Sequence, residues 1–264
     1  MNRLEAVIFD WAGTTVDFGC MAPVQAFIEG FKKFGIVPTM EEVREPMGML
    51  KIDHIRTMLA MPRIKACWEE IHGNAPTDED AKKIFEGFEA NLFAVLDQNA
   101  DVKPGVVEAV HTLRENGVKI GSTTGYTDKM MDIIVPIAKE QGYEPDCMYT
   151  PDSTSQKGRP YPYMIFKNME TLGVDHVQSV LKVGDTTSDI KEGKNAGVWS
   201  AGIVVGSSEM GLTLDEYNAL SEEEKQERAK KVEEKYKVAG ADFVFQTIED
   251  VVEFVLNTRK SKEL

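Results

Sequence analysis

The chain has 264 residues, 42% of them apolar and 28% charged, enough to bury a large core and far from the composition of a disordered segment. Acidic residues outnumber basic ones by 44 to 30, and the formal net charge of -14 argues against nucleic acid or an anionic membrane as a partner. Three widely spaced cysteines, Cys20, Cys67 and Cys147, with no CxxC pair, indicate neither a disulfide framework nor a zinc site and fit a reducing cytoplasm.

The first element is the apolar run from Ala6 to Asp10, a buried strand that ends on a carboxylate and runs into Trp11-Ala-Gly-Thr-Thr15. No signal-type apolar region precedes it, and no stretch approaches the ~20 residues needed to span a bilayer, so a soluble chain is expected. In open α/β sheets ligands bind beyond the carboxyl ends of the strands, where a carboxylate can attack phosphorus to form an aspartyl-phosphate. An isolated Asp10 would more often cap the Gly13-Thr14-Thr15 turn. Enzymes that cleave phosphate esters in this way usually carry a second Asp two residues on, to protonate the departing oxygen. Ala12 has no proton to give, which points away from an oxygen leaving group.

About ninety residues with several helical segments and almost no strand signal follow, far more than a βα connection requires. They predict an inserted helical cap, with helices over Pro23 to Phe34, Met40 to Glu45, Lys51 to Leu59, Pro62 to Ile71 and Thr77 to Gln98. Phe85, Phe88, Leu92 and Leu96 form the apolar stripe of the last. Within Met47-Gly-Met-Leu-Lys51-Ile-Asp-His54, Lys51 and His54 are three apart and share a helix face. A carbon leaving group needs an electron sink, and a lysine condensed with a neighbouring carbonyl supplies one as a protonated imine. A lone lysine at a helix start is otherwise a solvated charge.

Beyond the insert, Pro104 to Gly117 opens with proline and closes with glycine as helices do. Runs over Val118 to Thr124, Cys147 to Thr150, Val180 to Asp185 and Ser200 to Gly206 predict further parallel strands, separated by helical patterns. Leu214 to Val238 predicts a charged helical stretch lying over a last strand, Asp242 to Phe245. The whole reads as a doubly wound, Rossmann-like parallel α/β core, residues 1–20 and 100–264, with an all-helical cap, residues 21–99. Ser261-Lys-Glu-Leu264 only faintly resembles a retention signal, which has no meaning without secretion.

Asp10-Trp-Ala-Gly-Thr-Thr-Val-Asp17, Met47-Gly-Met-Leu-Lys51 with His54, and Gly121-Ser-Thr-Thr-Gly-Tyr126 resemble the phosphonoacetaldehyde hydrolases, or phosphonatases, of the haloacid dehalogenase-like superfamily. The similarity extends over nearly the whole chain, and Ala12 paired with the cap lysine is specific to this branch. It implies cleavage of the carbon–phosphorus bond of phosphonoacetaldehyde in 2-aminoethylphosphonate degradation, with Asp10 as nucleophile, Lys51 as Schiff-base lysine and His54 assisting proton transfer or shaping the aldehyde pocket. It further implies a homodimer through the cap, with Cys20 and Met47 lining the pocket.

Around these residues the chemistry is consistent. Magnesium prefers oxygen ligands, and the Asp10 carboxylate, the Ala12 carbonyl and Asp185 of Gly184-Asp-Thr-Thr-Ser-Asp189 would make the protein part of its shell. Asp189 stands behind them or touches the metal weakly, or else is an acid at a helix N-terminus. Thr123 or Thr124, with the N–H groups of Gly125 and Tyr126, would bind phosphoryl oxygens, the resemblance favouring Thr124. The threonines are equally at home as helix N-caps, and Tyr126 as a packing residue. Arg159 stands where the superfamily usually has lysine before Pro-x-Pro, and the register to Pro160 and Pro162 favours it over Lys157. Burial beside magnesium and Arg159 is expected to lower the Lys51 pKa. Two other readings use the same motifs: a sugar-phosphate phosphatase or phosphomutase, handicapped by Ala12, and a catalytically silent phosphate-binding protein.

Overall fold

In the computed structural model, which describes residues 3–260, the first strand β1 (Ala6–Phe9) is followed by five helices: α1 (Met21–Lys32), α2 (Met40–Arg44), α3 (Lys51–Ala60), α4 (Pro62–His72) and α5 (Asp78–Phe93). Then come α6 (Val106–Glu115), β2 (Lys119–Thr123), α7 (Asp128–Glu140), β3 (Cys147–Tyr149), α8 (Tyr163–Leu172), β4 (Val180–Gly184) and α9 (Thr187–Ala196). β5 (Trp199–Ile203), α10 (Leu214–Ala219), α11 (Glu222–Ala239), β6 (Phe243–Phe245) and α12 (Ile248–Lys260) complete the fold. The segment 261–264, read above for a retention signal, lies outside the described residues.

All six strands are parallel, in the order β3-β2-β1-β4-β5-β6. Every side chain of β1 and β4 is buried, as a sheet covered by helices on both faces requires. The chain winds outward in both directions from the β1–β4 pair, so the crevice beyond their carboxyl ends is the topological switch point where ligands bind in such folds. Strands β1, β2, β3 and β4 each stop one residue short of the predicted end. Asp10, Thr124, Thr150 and Asp185 therefore sit just past the sheet, and all but Thr150 line that crevice.

The insert between β1 and β2 is helical throughout, as predicted, with shifted boundaries. α1 starts at Met21, two residues early, because the Asp17 carboxylate accepts hydrogen bonds from the Met21 and Ala22 amides at 2.9 and 3.1 Å and so fills the capping role. Pro23 falls in the first turn, where its missing N–H costs nothing. α5 is capped by Thr77 through a capping box with Asp80 and ends at Phe93, short of the predicted Gln98. Its stripe buries Phe88 and Leu92 fully, and Leu96, beyond the helix, joins the same core. The charged stretch predicted as one helical unit divides into α10 and α11, because Ser221 forms a new capping box with Glu224. α12 was not anticipated, although Ile248, Val251 and Val255 have helical spacing and are buried against the α6 side of the sheet.

Candidate active site

Two carboxylates meet at the switch point. Asp10 leaves β1 and Asp185 leaves β4, and one oxygen from each lies within 4.8 Å of the other and of an oxygen of Asp189. The turn after Asp10 approaches so closely that a Cβ on Gly13, at φ +88°, would stand 2.0 Å from Asp185 Oδ2, so only glycine fits. Asp185 Oδ2 accepts from the Ser208 amide at 2.7 Å, while its other oxygen and that of Asp10 share only a 3.4 Å contact each with the Thr14 hydroxyl. Burial, and then the charges of Asp10 and Asp189, push the Asp185 carboxyl well above its ordinary range. Such a pair calls for a cation. A hard divalent ion fits the donor set of two carboxylates and the Ala12 carbonyl.

Asp189 is different. Its Oδ2 accepts the Thr186 hydroxyl at 2.6 Å and its Oδ1 pairs with Lys182 at 2.8 Å and Arg159 at 3.1 Å. Burial acts to raise its pKa, but the two cations outweigh it and hold the carboxyl below the usual range. Its charge is already balanced, which sets it behind Asp10 and Asp185 as a partner for a metal.

Arg159 is buried and spreads its guanidinium over three acids: Nη2 to Asp10 Oδ1 at 2.5 Å, Nη1 to Asp189 and Nε to Glu192 Oε2 at 3.0 Å. Nη2 also donates to the Thr123 carbonyl and hydroxyl, both at 2.9 Å. The alternative cation, Lys157, is exposed and lies over the Tyr163 ring. Thr123 is thus taken up by Arg159, and Thr124 is the threonine that faces the cavity.

Lys51 opens α3 with its side chain 4% exposed, its ammonium 4.8 Å from the centre of the Tyr126 ring and 5.9 Å from that of Phe27. Burial lowers its pKa and Arg159 adds to this, while Cys20, Asp10 and Asp185 pull in the other direction. The preceding loop fits against the core without slack. A Cβ on Gly48, at φ +81°, would stand 2.3 Å from Thr186 Oγ1, and one on Gly125 would stand 2.9 Å from the Met49 carbonyl. Ser188 donates to the Met47 carbonyl at 3.0 Å.

Between loop and core lies a small cavity of about 20 Å³. Asp10, Ala12 and Asp185 line it from the strand tips, Arg159 from the loop before α8, Thr124, Gly125 and Tyr126 from the end of β2, Gly48 and Lys51 from the insert, and Cys20 from the turn just ahead of α1. The Tyr126 amide donates to the Thr124 hydroxyl at 3.1 Å. The Cys20 thiol is pushed well up by burial, and by Asp17 and Asp185, so it stays protonated.

Two of the expected residues lie apart from this lining. Met47 does not line this cavity: its side chain is 1% exposed within the apolar core, and it meets the core domain through its carbonyl. His54 is absent from the lining too. One helical turn beyond Lys51, it points back into the insert and stacks on Phe27 at 3.8 Å. Burial, and then the Lys51 charge, push its pKa far down, so the ring is neutral.

Three buried ionisable residues were not anticipated. Lys182, in the middle of β4, and Glu192, on α9, complete the network around Arg159. Lys103 donates to the Gly13 carbonyl at 2.6 Å and the Val205 carbonyl at 2.9 Å, tying the turn after Asp10 to the loop after β5. A lysine inside the apolar run Val180-Leu-Lys-Val-Gly184 was the available signal, since a charge in a doubly covered strand must have a buried partner.

A family model described as haloacid dehalogenase-like hydrolase matches residues 4–197. A bifunctional phosphonoacetaldehyde hydrolase/aminoethylphosphonate transaminase of Clostridioides difficile strain 630 is 51% identical over 255 residues, 97% of this chain but only 40% of that longer protein. The phosphonoacetaldehyde hydrolase of Lysinibacillus sphaericus strain C3-41 is 51% identical over 249 residues, 94% of this chain and 93% of the relative. The crystal structure of a phosphonoacetaldehyde hydrolase like protein from Oleispira antarctica matches with a TM-score of 0.94 at 39% identity, covering 98% of this chain and 94% of the other.

Proposed function

The chain belongs to the haloacid dehalogenase-like hydrolases, among the phosphonoacetaldehyde hydrolases, and on that premise we propose that it hydrolyses phosphonoacetaldehyde to acetaldehyde and phosphate. The observation that carries this reading is a buried lysine amine sharing one small cavity with Asp10, where position 12 holds no acid for an oxygen leaving group. In a phosphate-ester hydrolase Lys51 would be a burial cost without a task.

The Lys51 amine adds to the aldehyde carbonyl and expels water, leaving a protonated imine. Asp10 attacks phosphorus in line, the carbon–phosphorus bond breaks, and its electron pair moves into the imine to give an enamine. Arg159 holds the attacking carboxylate and balances charge on the phosphoryl oxygens, while Thr124 and the amide of Gly125 donate to those oxygens. Water then cleaves the aspartyl-phosphate to release phosphate. The enamine carbon takes up a proton, and hydrolysis of the imine frees acetaldehyde and returns the amine. Magnesium, held by Asp10, Asp185 and the Ala12 carbonyl, would supply positive charge against the repulsion between carboxylate and phosphonate. His54, neutral and walled in, acts by packing behind Lys51 rather than by contact with substrate.

Residues 21–99 form the cap over a core of residues 1–20 and 100–264, and opening at the cap admits substrate. A cytoplasmic setting suits the three free cysteines. We also place a second copy of the chain against the cap, where Val37, Met40 and Ile71 are exposed.

The test is direct. Borohydride added with phosphonoacetaldehyde should fix an adduct on Lys51, visible by peptide mass, and Lys51→Arg should abolish release of acetaldehyde and phosphate, as chelation should. Undiminished turnover in Lys51→Arg would sink the imine route, and faster turnover of a phosphate ester than of the phosphonate would sink the substrate.

A further inference from the structure

The buried charges behind Asp10 exceed what holding a nucleophile needs. Three acids, Asp10, Asp189 and Glu192, and two cations, Arg159 and Lys182, pack together, all nearly or wholly inaccessible. Glu192 gathers three contacts onto one oxygen: Oε2 accepts Arg159 Nε and the Thr123 hydroxyl, each at 3.0 Å, and lies 3.6 Å from Lys182, while Oε1 has no hydrogen-bond partner among the described residues. A buried carboxylate with one oxygen unpartnered is a poor stabiliser, and an apolar side chain of similar volume would serve packing as well. Its position is what distinguishes it.

A lysine at position 159 would present a single nitrogen, which one acid could hold. An arginine has a rigid planar fork that must be oriented before Nη2 meets a carboxylate in line. Nη1 is fixed by Asp189, on α9, and Nε is fixed by Glu192, one turn further along the same helix, so the guanidinium plane is defined at two points away from Asp10. Lys182 supplies the second positive charge, so that Asp189 and Glu192 do not together consume the charge of Arg159.

We infer that Glu192 is a positioning residue for the reaction: it acts through Arg159 Nε to aim the fork at Asp10 and the transferring phosphoryl group, with Lys182 as its counter-ion. This rests on the assignment of Asp10 as nucleophile and phosphoryl site. Glu192→Gln and Arg159→Lys should each lower kcat by about tenfold or more with little change in KM, as loss of a buried charge-assisted bond does.

The deciding measurement is a double-mutant cycle. In the Arg159→Lys background no Nε remains, so adding Glu192→Gln should cost nothing further in kcat. Losses that multiply would overturn the inference and make Glu192 a structural residue. The same cycle run on binding of inorganic phosphate with magnesium by calorimetry should show the same non-additivity, and independent losses there would overturn it too. That binding cycle does not depend on turnover, so a wild-type chain that releases no acetaldehyde defeats the proposed reaction alone. Melting curves establish that each variant folds; should Glu192→Gln not fold, Glu192→Asp, which keeps the charge beside Lys182 but withdraws it from Nε, takes its place in both cycles with the same expectation.

Discussion

Asp17 joins the strand tip to the insert, and its burial gives it a measurable signature. At φ +52° and 6% exposed, it caps α1 from four residues upstream. Burial raises its carboxyl from 3.8 to about 6, although the amides of Met21 and Ala22 and the charges of Arg44 and Lys103 oppose this. Between these two values the folded chain keeps a proton that the unfolded chain has lost, so this group's contribution makes stability fall as pH rises from 3.8 to about 6 and level off above. The shift is worth roughly 3 kcal/mol. Asp17→Asn has no such titration, so its stability relative to wild type should improve by up to that amount across the window. Urea denaturation at several pH values checks this: parallel profiles for the two proteins would show that the carboxyl does not titrate there. At this scale the sequence singled out Asp10, Lys51, Arg159 and Asp185 as candidates, because each carries a charge in a motif that leaves few other uses, and the four line one cavity. Met47 and His54 pack into the apolar interior of the insert, Met47 ahead of α3 and His54 on it, and spacing along the chain does not say which way such side chains point.

At the scale of elements, the loop ahead of α3 decides whether an amine on the insert reaches a carboxylate on the sheet. Gly48 permits this, because its positive φ and missing Cβ let the loop close onto Thr186. Gly48→Ala should therefore push the loop off the core and withdraw Lys51, lowering kcat/KM by about tenfold or more, since small displacements of a reacting group are costly. The melting temperature should change far less, because the strained contact lies between cap and core and not within either. Steady-state kinetics and a thermal melt on the same preparation would check this, and an unchanged kcat/KM would show that the loop does not set the position of Lys51. Periodicity was sufficient to find the strands and the helical insert, since parallel strands buried on both faces read as continuous apolar runs. It failed where local capping overrode pattern, as at Ser221 and Asp17.

For the whole molecule, the net charge is -14, so the anionic substrate proposed above requires a local positive island. Arg159, Lys51, Lys103 and Lys182 are its buried cations; Arg159 and Lys182 pair with acids, while Lys103 is held by backbone carbonyls and Lys51 lies over the Tyr126 ring. No helix among the described residues is long and apolar enough to cross a membrane. The exposed residues Val37, Met40 and Ile71 lie on the insert, Ile71 beside Gly35, and mark the face where the second copy is proposed. Sedimentation equilibrium should give a dimer mass at micromolar concentration, falling to a monomer mass for Val37→Asp combined with Ile71→Asp. A wild-type monomer under those conditions would remove the dimer from the proposal.

The amino-acid order alone determined the parallel core and the helical insert and narrowed the candidate site to a few charged residues, because burial of apolar runs and the placement of charges at strand ends are local consequences of residue type. Only the tertiary structure decided which of those residues share a cavity, that Asp189 is neutralised by Lys182 and Arg159, and that Glu192 meets Arg159 on the side away from Asp10. Those outcomes depend on side chains from β1, β2, β4, α3 and α9 meeting within a few ångströms, and no spacing along the chain encodes a distance between elements brought together by folding.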